Sequence, residues 1–140
     1  MTLLNPPAAF SLETRHMTGT AREFWLRTNS EVLPYHRCAS CSEPNFPPLE
    51  WCRSCLSNDL VWEESSGKGV LESWSVVWRP VSPQFVVPYA PAIVELAEGF
   101  RMISCIVGDD EDLHAGAKVA LEFAGDSSQR IPVFRVVKGQ

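Results

Sequence analysis

Cys38-Ala39-Ser40-Cys41 and, ten residues further on, Cys52-Arg53-Ser54-Cys55 read together as one metal site. Each pair presents two thiolates, and the short loop between them lets the pairs face each other around a tetrahedral ion, as in a zinc ribbon. A zinc ion with four protein thiolates has no open position for water or substrate, so such a site orders structure and does not activate a nucleophile. Rubredoxin-type iron requires the same four sulfurs and stays open as an alternative. Disulfides or thiol redox chemistry are the other uses of paired cysteines. Met1 to Phe10 has no basic start, and Asn5, Pro6 and Pro7 interrupt its apolar run, so it does not read as a secretory signal. Thiols stay reduced in the cytosol. The expectation is therefore one structural zinc per chain, held by Cys38, Cys41, Cys52 and Cys55, in a cytoplasmic protein.

Around these cysteines the chain divides into three parts: an N-terminal arm and short helix (1–31), a zinc ribbon (32–65) and a barrel (66–140). Within the ribbon, Glu43-Pro44-Asn45-Phe46-Pro47-Pro48 forbids helix and allows strand only at an edge. Ser65-Ser66-Gly67-Lys68-Gly69 is a turn cluster marking the join to the barrel, without the spacing of a phosphate-binding loop. Upstream, Thr20 as N-cap and Glu23 three residues later suggest a capping box, opening a helix over Ala21 to Thr28 that carries Phe24 and Trp25.

Beyond Gly69 the pattern is β throughout. Val70 to Trp78 alternates, with Trp74, Val76 and Trp78 on one face. A proline-rich connection from Arg79 to Pro91 follows, unusually long for a hairpin. Ala92 to Leu96 and Phe100 to Val107 flank the hairpin signal Glu98-Gly99, and Lys118 to Phe123 and Ile131 to Val137 complete the set. Five strands with no room for crossover helices point to a mainly β chain ending in a small antiparallel OB-type barrel.

A chain of 140 residues, 45% hydrophobic, supports one modest core with a small appendage, and no apolar run approaches the roughly 20 residues that span a bilayer. Formal charge is -5, with 12 Lys and Arg against 17 Asp and Glu, and four thiolates around a divalent ion make it more negative still. That balance argues against a binder of phosphate backbones.

Trp74, Trp78, Phe100, Phe123 and Phe134 suit a barrel core. Were the first strand open on one face, Trp74 and Trp78 could instead stack a flat group such as a nucleobase or the adenine of coenzyme A. His16, His36 and His114 are scattered, with His36 expected at the surface. Cys105 reads as a buried core thiol, and Glu95 and Glu98 have no visible partner acid. No catalytic residue is identified, which favours a binding or assembly module over an independent enzyme.

With these residues in place, the chain resembles the acyl-CoA-associated family called domain of unknown function 35, a rubredoxin-like zinc ribbon joined to an OB-fold. The resemblance runs from Phe24 to Val137. It is carried by Phe24-Trp25, the four cysteines with Phe46-Pro47-Pro48 between them, Ser66-Gly67-Lys68-Gly69-Val70, Pro88-Tyr89-Ala90-Pro91-Ala92, Glu98-Gly99-Phe100-Arg101 and Gly116-Ala117-Lys118-Val119. Ser42, Leu49 and Arg53 depart from the glycine, arginine and proline that many relatives carry there. The resemblance implies a non-catalytic accessory subunit of a thiolase-fold enzyme (thiolase, acyltransferase or retro-aldolase) acting on acyl-CoA, with a coenzyme A thioester at the partner interface. It also implies docking surfaces at Phe24, Trp25, Phe46, Pro88 and Tyr89. The alternative is an OB-fold binder of single-stranded nucleic acid.

Overall fold

In the computed structural model, which describes residues 2–7, 17 and 19–138, a short strand β1 (Leu3–Leu4) comes first and helix α1 (Gly19–Thr28) second. Three strands, β2 (Pro34–Cys38), β3 (Pro44–Asn45) and β4 (Leu60–Glu64), form a small sheet in the order β3-β2-β4. The remaining elements are β5 (Lys68–Trp74), β6 (Ala90–Leu96), β7 (Arg101–Ile106), β8 (Gly108–Asp109), β9 (Lys118–Asp126) and β10 (Gln129–Val136). Most of the leading arm, including His16, lies outside the described residues.

Strands β10-β7-β6-β5-β9 close into a five-stranded barrel, as the alternating sequence leads one to expect. Every neighbouring pair is antiparallel except β7 and β10, which meet in parallel at Ile106 and Phe134 and seal the wall. In β6 the period of two is plain: Ala90, Ala92, Val94 and Leu96 are buried while Ile93 and Glu95 turn outward. Closure leaves the barrel without a free edge, which a short twisted sheet otherwise exposes to pairing with other chains. β1 pairs with β8 and buries Leu4 against the same core.

The expected first strand from Val70 to Trp78 is shorter in the barrel. Its register shifts between Leu71 and Ser73, and β5 stops at Trp74. A bulge sharpens local twist and bends the strand out of the wall, so the later residues leave the barrel although their alternation continues.

Phe100 joins the two halves. It is fully buried, tilted over Tyr35 of β2 at 4.9 Å between centroids and stacked on Phe46 at 5.1 Å, while Phe46 meets Phe24 of α1 edge-on at 5.7 Å. Helix, ribbon and barrel therefore share one apolar core. At the helix end, the Arg130 backbone N–H donates to the Asn29 side-chain oxygen at 2.9 Å, fixing α1 to the last barrel strand.

The capping box does not form. The helix starts at Gly19, the Thr20 hydroxyl donates to the Pro48 carbonyl at 3.2 Å, and Glu23 pairs with Arg27 one turn on at 2.9 Å. Docking the helix onto the proline-rich ribbon loop takes the hydroxyl that a cap needs.

Candidate metal centre

The two knuckles repeat one backbone device. The Ser42 N–H donates to the Cys38 carbonyl at 2.8 Å and the Leu56 N–H to the Cys52 carbonyl at 2.9 Å. Both donors sit just past the second cysteine of their pair, with φ of 67° and 66°. That left-handed backbone favours glycine, yet this chain holds Ser42 and Leu56 there. The turn folds each pair so that both sulfurs face one point.

All four cysteine sulfurs lie within 4.8 Å of one another. Cys38 and Cys55 approach to 3.6 Å, as do Cys41 and Cys52. Sulfurs bound tetrahedrally to zinc at about 2.3 Å stand roughly 3.8 Å apart, so the set fits one tetrahedral thiophilic ion. These four residues form a cluster consistent with a structural zinc site. Among the described residues, no other set of three or more His, Cys, Asp or Glu converges on a common point.

Sulfurs this close cannot all ionise without a cation among them. The Cys55 backbone N–H, with further bonds from the Asn45 amide and the Ser54 N–H, holds Cys52 down to about 6. At Cys41 the Glu43 N–H pulls the other way, yet burial and hydrogen bonds to Cys52, Cys55 and Cys38 push the thiol up to about 12. One sulfur takes the charge and its neighbour keeps the proton. A divalent cation would displace such protons and hold all four as thiolates.

Asn45 is the residue that sequence reading passed over. Fully buried, it donates from Nδ2 to Cys52 Sγ at 3.5 Å and accepts the Arg53 N–H on Oδ1 at 2.9 Å, so from β3 it orients a sulfur of the second cysteine pair. Its only signal was an amide amid prolines.

His36 is buried, not at the surface. Its Nδ1 lies 3.0 Å from the Leu49 carbonyl and its ring meets Trp62 edge-on at 4.1 Å, because the β2–β4 register sets these two residues opposite each other. Burial lowers its pKa. His114 is exposed, with Nδ1 3.1 Å from the Asp112 carbonyl. Cys105 is only half-buried, and burial raises its thiol. Glu98 accepts hydrogen bonds from the Ser65 hydroxyl and the Ser66 N–H.

Of the residues named as docking candidates, Phe24, Trp25 and Phe46 form an aromatic step along a groove of about 700 Å³ between helix, ribbon and barrel. Phe24 itself is buried. Pro88 and Tyr89 lie elsewhere, at the base of the β5–β6 connection. Trp74 and Trp78 both reach solvent, while Val76 between them packs on the core. Phe100 and Phe134 are fully buried and Phe123 is half-buried.

Two family models match: ChsH2, rubredoxin-like zinc ribbon domain, over residues 29–61, and ChsH2, C-terminal OB-fold domain, over 62–124. A DUF35 domain-containing scaffold protein of Methanothermobacter thermautotrophicus is 34% identical, the match covering 76% of this chain and 83% of that protein. A probable enoyl-CoA hydratase alpha subunit of Thermomonospora curvata is also 34% identical over 89% of this chain, but the chain spans only 40% of its length. Among solved structures, the Ltp2-ChsH2(DUF35) aldolase contains a chain similar to this one with a TM-score of 0.78 and 32% identity, covering 86% of this chain and 97% of that one. Ribbon, barrel, their order and the four-cysteine knuckles all agree with these matches, and the chain belongs to the ChsH2/DUF35 family of rubredoxin-like zinc ribbons joined to an OB-fold.

Proposed function

We propose that this chain is a zinc-holding, non-catalytic accessory subunit of an enzyme complex that acts on acyl-CoA, with a thiolase-fold partner supplying the reacting groups. The observation that carries the reading is the closed four-sulfur cluster. An ion held by all four sulfurs would have no open coordination position, and that chemistry suits a part that orders an assembly. The relatives point the same way: one is named a scaffold protein and one belongs to an aldolase complex. Two others, from Thermomonospora curvata and Mycobacterium tuberculosis, are named alpha subunits of CoA-ester hydratases.

The aldolase relation is the better guide to the partner. This chain accounts for nearly the whole DUF35 chain of that complex, but for 40% and 28% of the hydratase alpha subunits. We therefore favour carbon-carbon cleavage, a retro-aldol reaction on an acyl-CoA, with an Ltp2-type subunit. The Phe24, Trp25 and Phe46 groove and the Pro88-Tyr89 region are the contact surfaces we assign to this chain, and any contact with the coenzyme lies at the shared interface.

A nucleic-acid role has little to support it. Among the described residues, Arg37, Arg53, Arg101, Arg130 and Arg135 are each engaged by a carboxylate, which weakens the case for the basic groove that a backbone binder needs.

The test is reconstitution. The isolated chain, metallated, should turn over no acyl-CoA ester, and an Ltp2-type subunit from the same organism should gain activity when it is added. Turnover by the chain alone, or indifference of the enzyme to it, would refute the accessory role.

A further inference from the structure

The β5–β6 hairpin does not end at the barrel wall. Trp74 faces Ala92, the Ser75 N–H donates to the Pro91 carbonyl at 3.0 Å, and Val77 bridges Tyr89. These pairs keep a single register, so the hairpin projects beyond the barrel as an arm. Its base is fastened from the N-terminal side, where the Asn5 backbone N–H and side-chain amide donate to the Pro88 carbonyl at 2.9 and 3.0 Å. Phe85 stacks on Tyr89 at 5.3 Å between centroids and stiffens the return strand.

The tip of this arm is apolar and open. Trp78 is 64% exposed, Val81 80% and Val86 57%. Holding a segment in order costs conformational entropy, and here the apolar side chains that should offset that cost face solvent. Such a surface marks an interaction site. Its charge is equally distinctive: Arg79 is the only charged residue from 73 to 94. Arg79 is exposed, and no carboxylate pairs with it among the described residues. An exposed tryptophan beside an unpaired arginine combines the residue types that dominate protein interfaces. A lipid surface fits less well, since anionic bilayers are held by clusters of basic residues. This arm has one, on a chain of charge -5.

We propose that the arm is the anchor by which this chain docks its enzyme subunit: Trp78, Val81 and Val86 enter an apolar cleft on that subunit, and Arg79 pairs with a carboxylate on the cleft's rim. The inference rests on the accessory-subunit reading and adds the anchoring side chains and the chemistry of the surface that receives them.

The experiment titrates an Ltp2-type aldolase subunit of the same organism with full-length chain. Wild type is compared with Trp78→Ala, Arg79→Glu and the double variant Val81→Ser/Val86→Ser, each first checked for unchanged metal content and melting. The expected result is a complex with wild type, a loss of roughly tenfold or more in affinity for Trp78→Ala and for the double variant, and weaker, less salt-sensitive binding for Arg79→Glu. Variants that bind as wild type overturn the anchor while leaving the accessory reading standing; a wild type that forms no complex removes both. A dimer of the chain alone that Trp78→Ala dissolves, or phosphatidylglycerol vesicles bound by wild type and released by Trp78→Ala, would assign the tip to another occupant and overturn the proposal.

Discussion

The Glu98 carboxylate accepts the Ser65 hydroxyl at 2.6 Å and so spans the join between ribbon and barrel, taking the Ser66 backbone N–H at 2.8 Å as well. The hairpin turn after β6 is thereby tied to the segment entering β5.

This tie makes stability depend on pH. Burial alone would raise the Glu98 pKa, but the bonds from Ser65 and Ser66 outweigh it and hold the carboxyl below its usual range. A depressed folded value contributes stability above the unfolded pKa of about 4.3, and that contribution is lost as pH falls through the folded value. Glu98→Ala should cost about 1 kcal/mol at pH 7, a figure already reduced for the partial exposure of the site. Urea unfolding of both proteins from pH 7 to pH 3 should show the gap closing below about pH 4. A gap that does not change with pH contradicts the assignment.

Removing one metal ligand should unmake the ribbon. Structural zinc contributes on the order of 10 kcal/mol to such knuckles, so Cys38→Ser and Cys52→Ser should each lose the metal and the ribbon's order. Metal content by mass spectrometry and near-ultraviolet dichroism report both effects. Stoichiometric metal with an unchanged spectrum in either variant would show that the sulfurs do not act as a set.

Phe100 lies between Tyr35 and Phe46, so its truncation should be felt on both sides of the join. Phe100→Ala is expected to cost about 3–5 kcal/mol. Because ribbon and barrel share this core, metal release and loss of barrel structure should coincide in one denaturant transition. Two separated transitions in the wild type would mean that the halves fold independently.

The knuckle backbone offers a stabilising change. Ser42 and Leu56 are exposed and hold left-handed φ, and glycine there relieves the clash of the β-carbon without losing buried contacts. Ser42→Gly and Leu56→Gly should each raise stability by up to about 1 kcal/mol. Thermal unfolding of the metallated proteins is the check, and a lower melting temperature for both would refute the strain argument.

Sequence reading reached the metal set and the barrel because both obey strict spacing rules: tetrahedral ligation dictates paired cysteines, and a two-sided wall dictates alternation. It missed what depends on neighbours distant along the chain. Val70 to Trp78 alternates without a break, and only the bulge after Leu71 shows where the barrel wall ends and the arm begins. His36 looked like a surface residue because its cover, Trp62, arrives from the other side of the ribbon loop. The hydrogen bonds to Glu98 are invisible to spacing rules because their donors, Ser65 and Ser66, lie in the turn between ribbon and barrel. The capping box at Thr20 was locally sound and lost to a tertiary contact with Pro48.

The most direct measurement is X-ray absorption at the metal edge of the assembled complex, recorded before and during turnover of an acyl-CoA substrate. Four sulfur neighbours at about 2.3 Å, with no oxygen or nitrogen and no change when substrate is added, is the predicted result. A light-atom ligand that appears or exchanges with substrate would give the metal a part in the reaction and contradict the account.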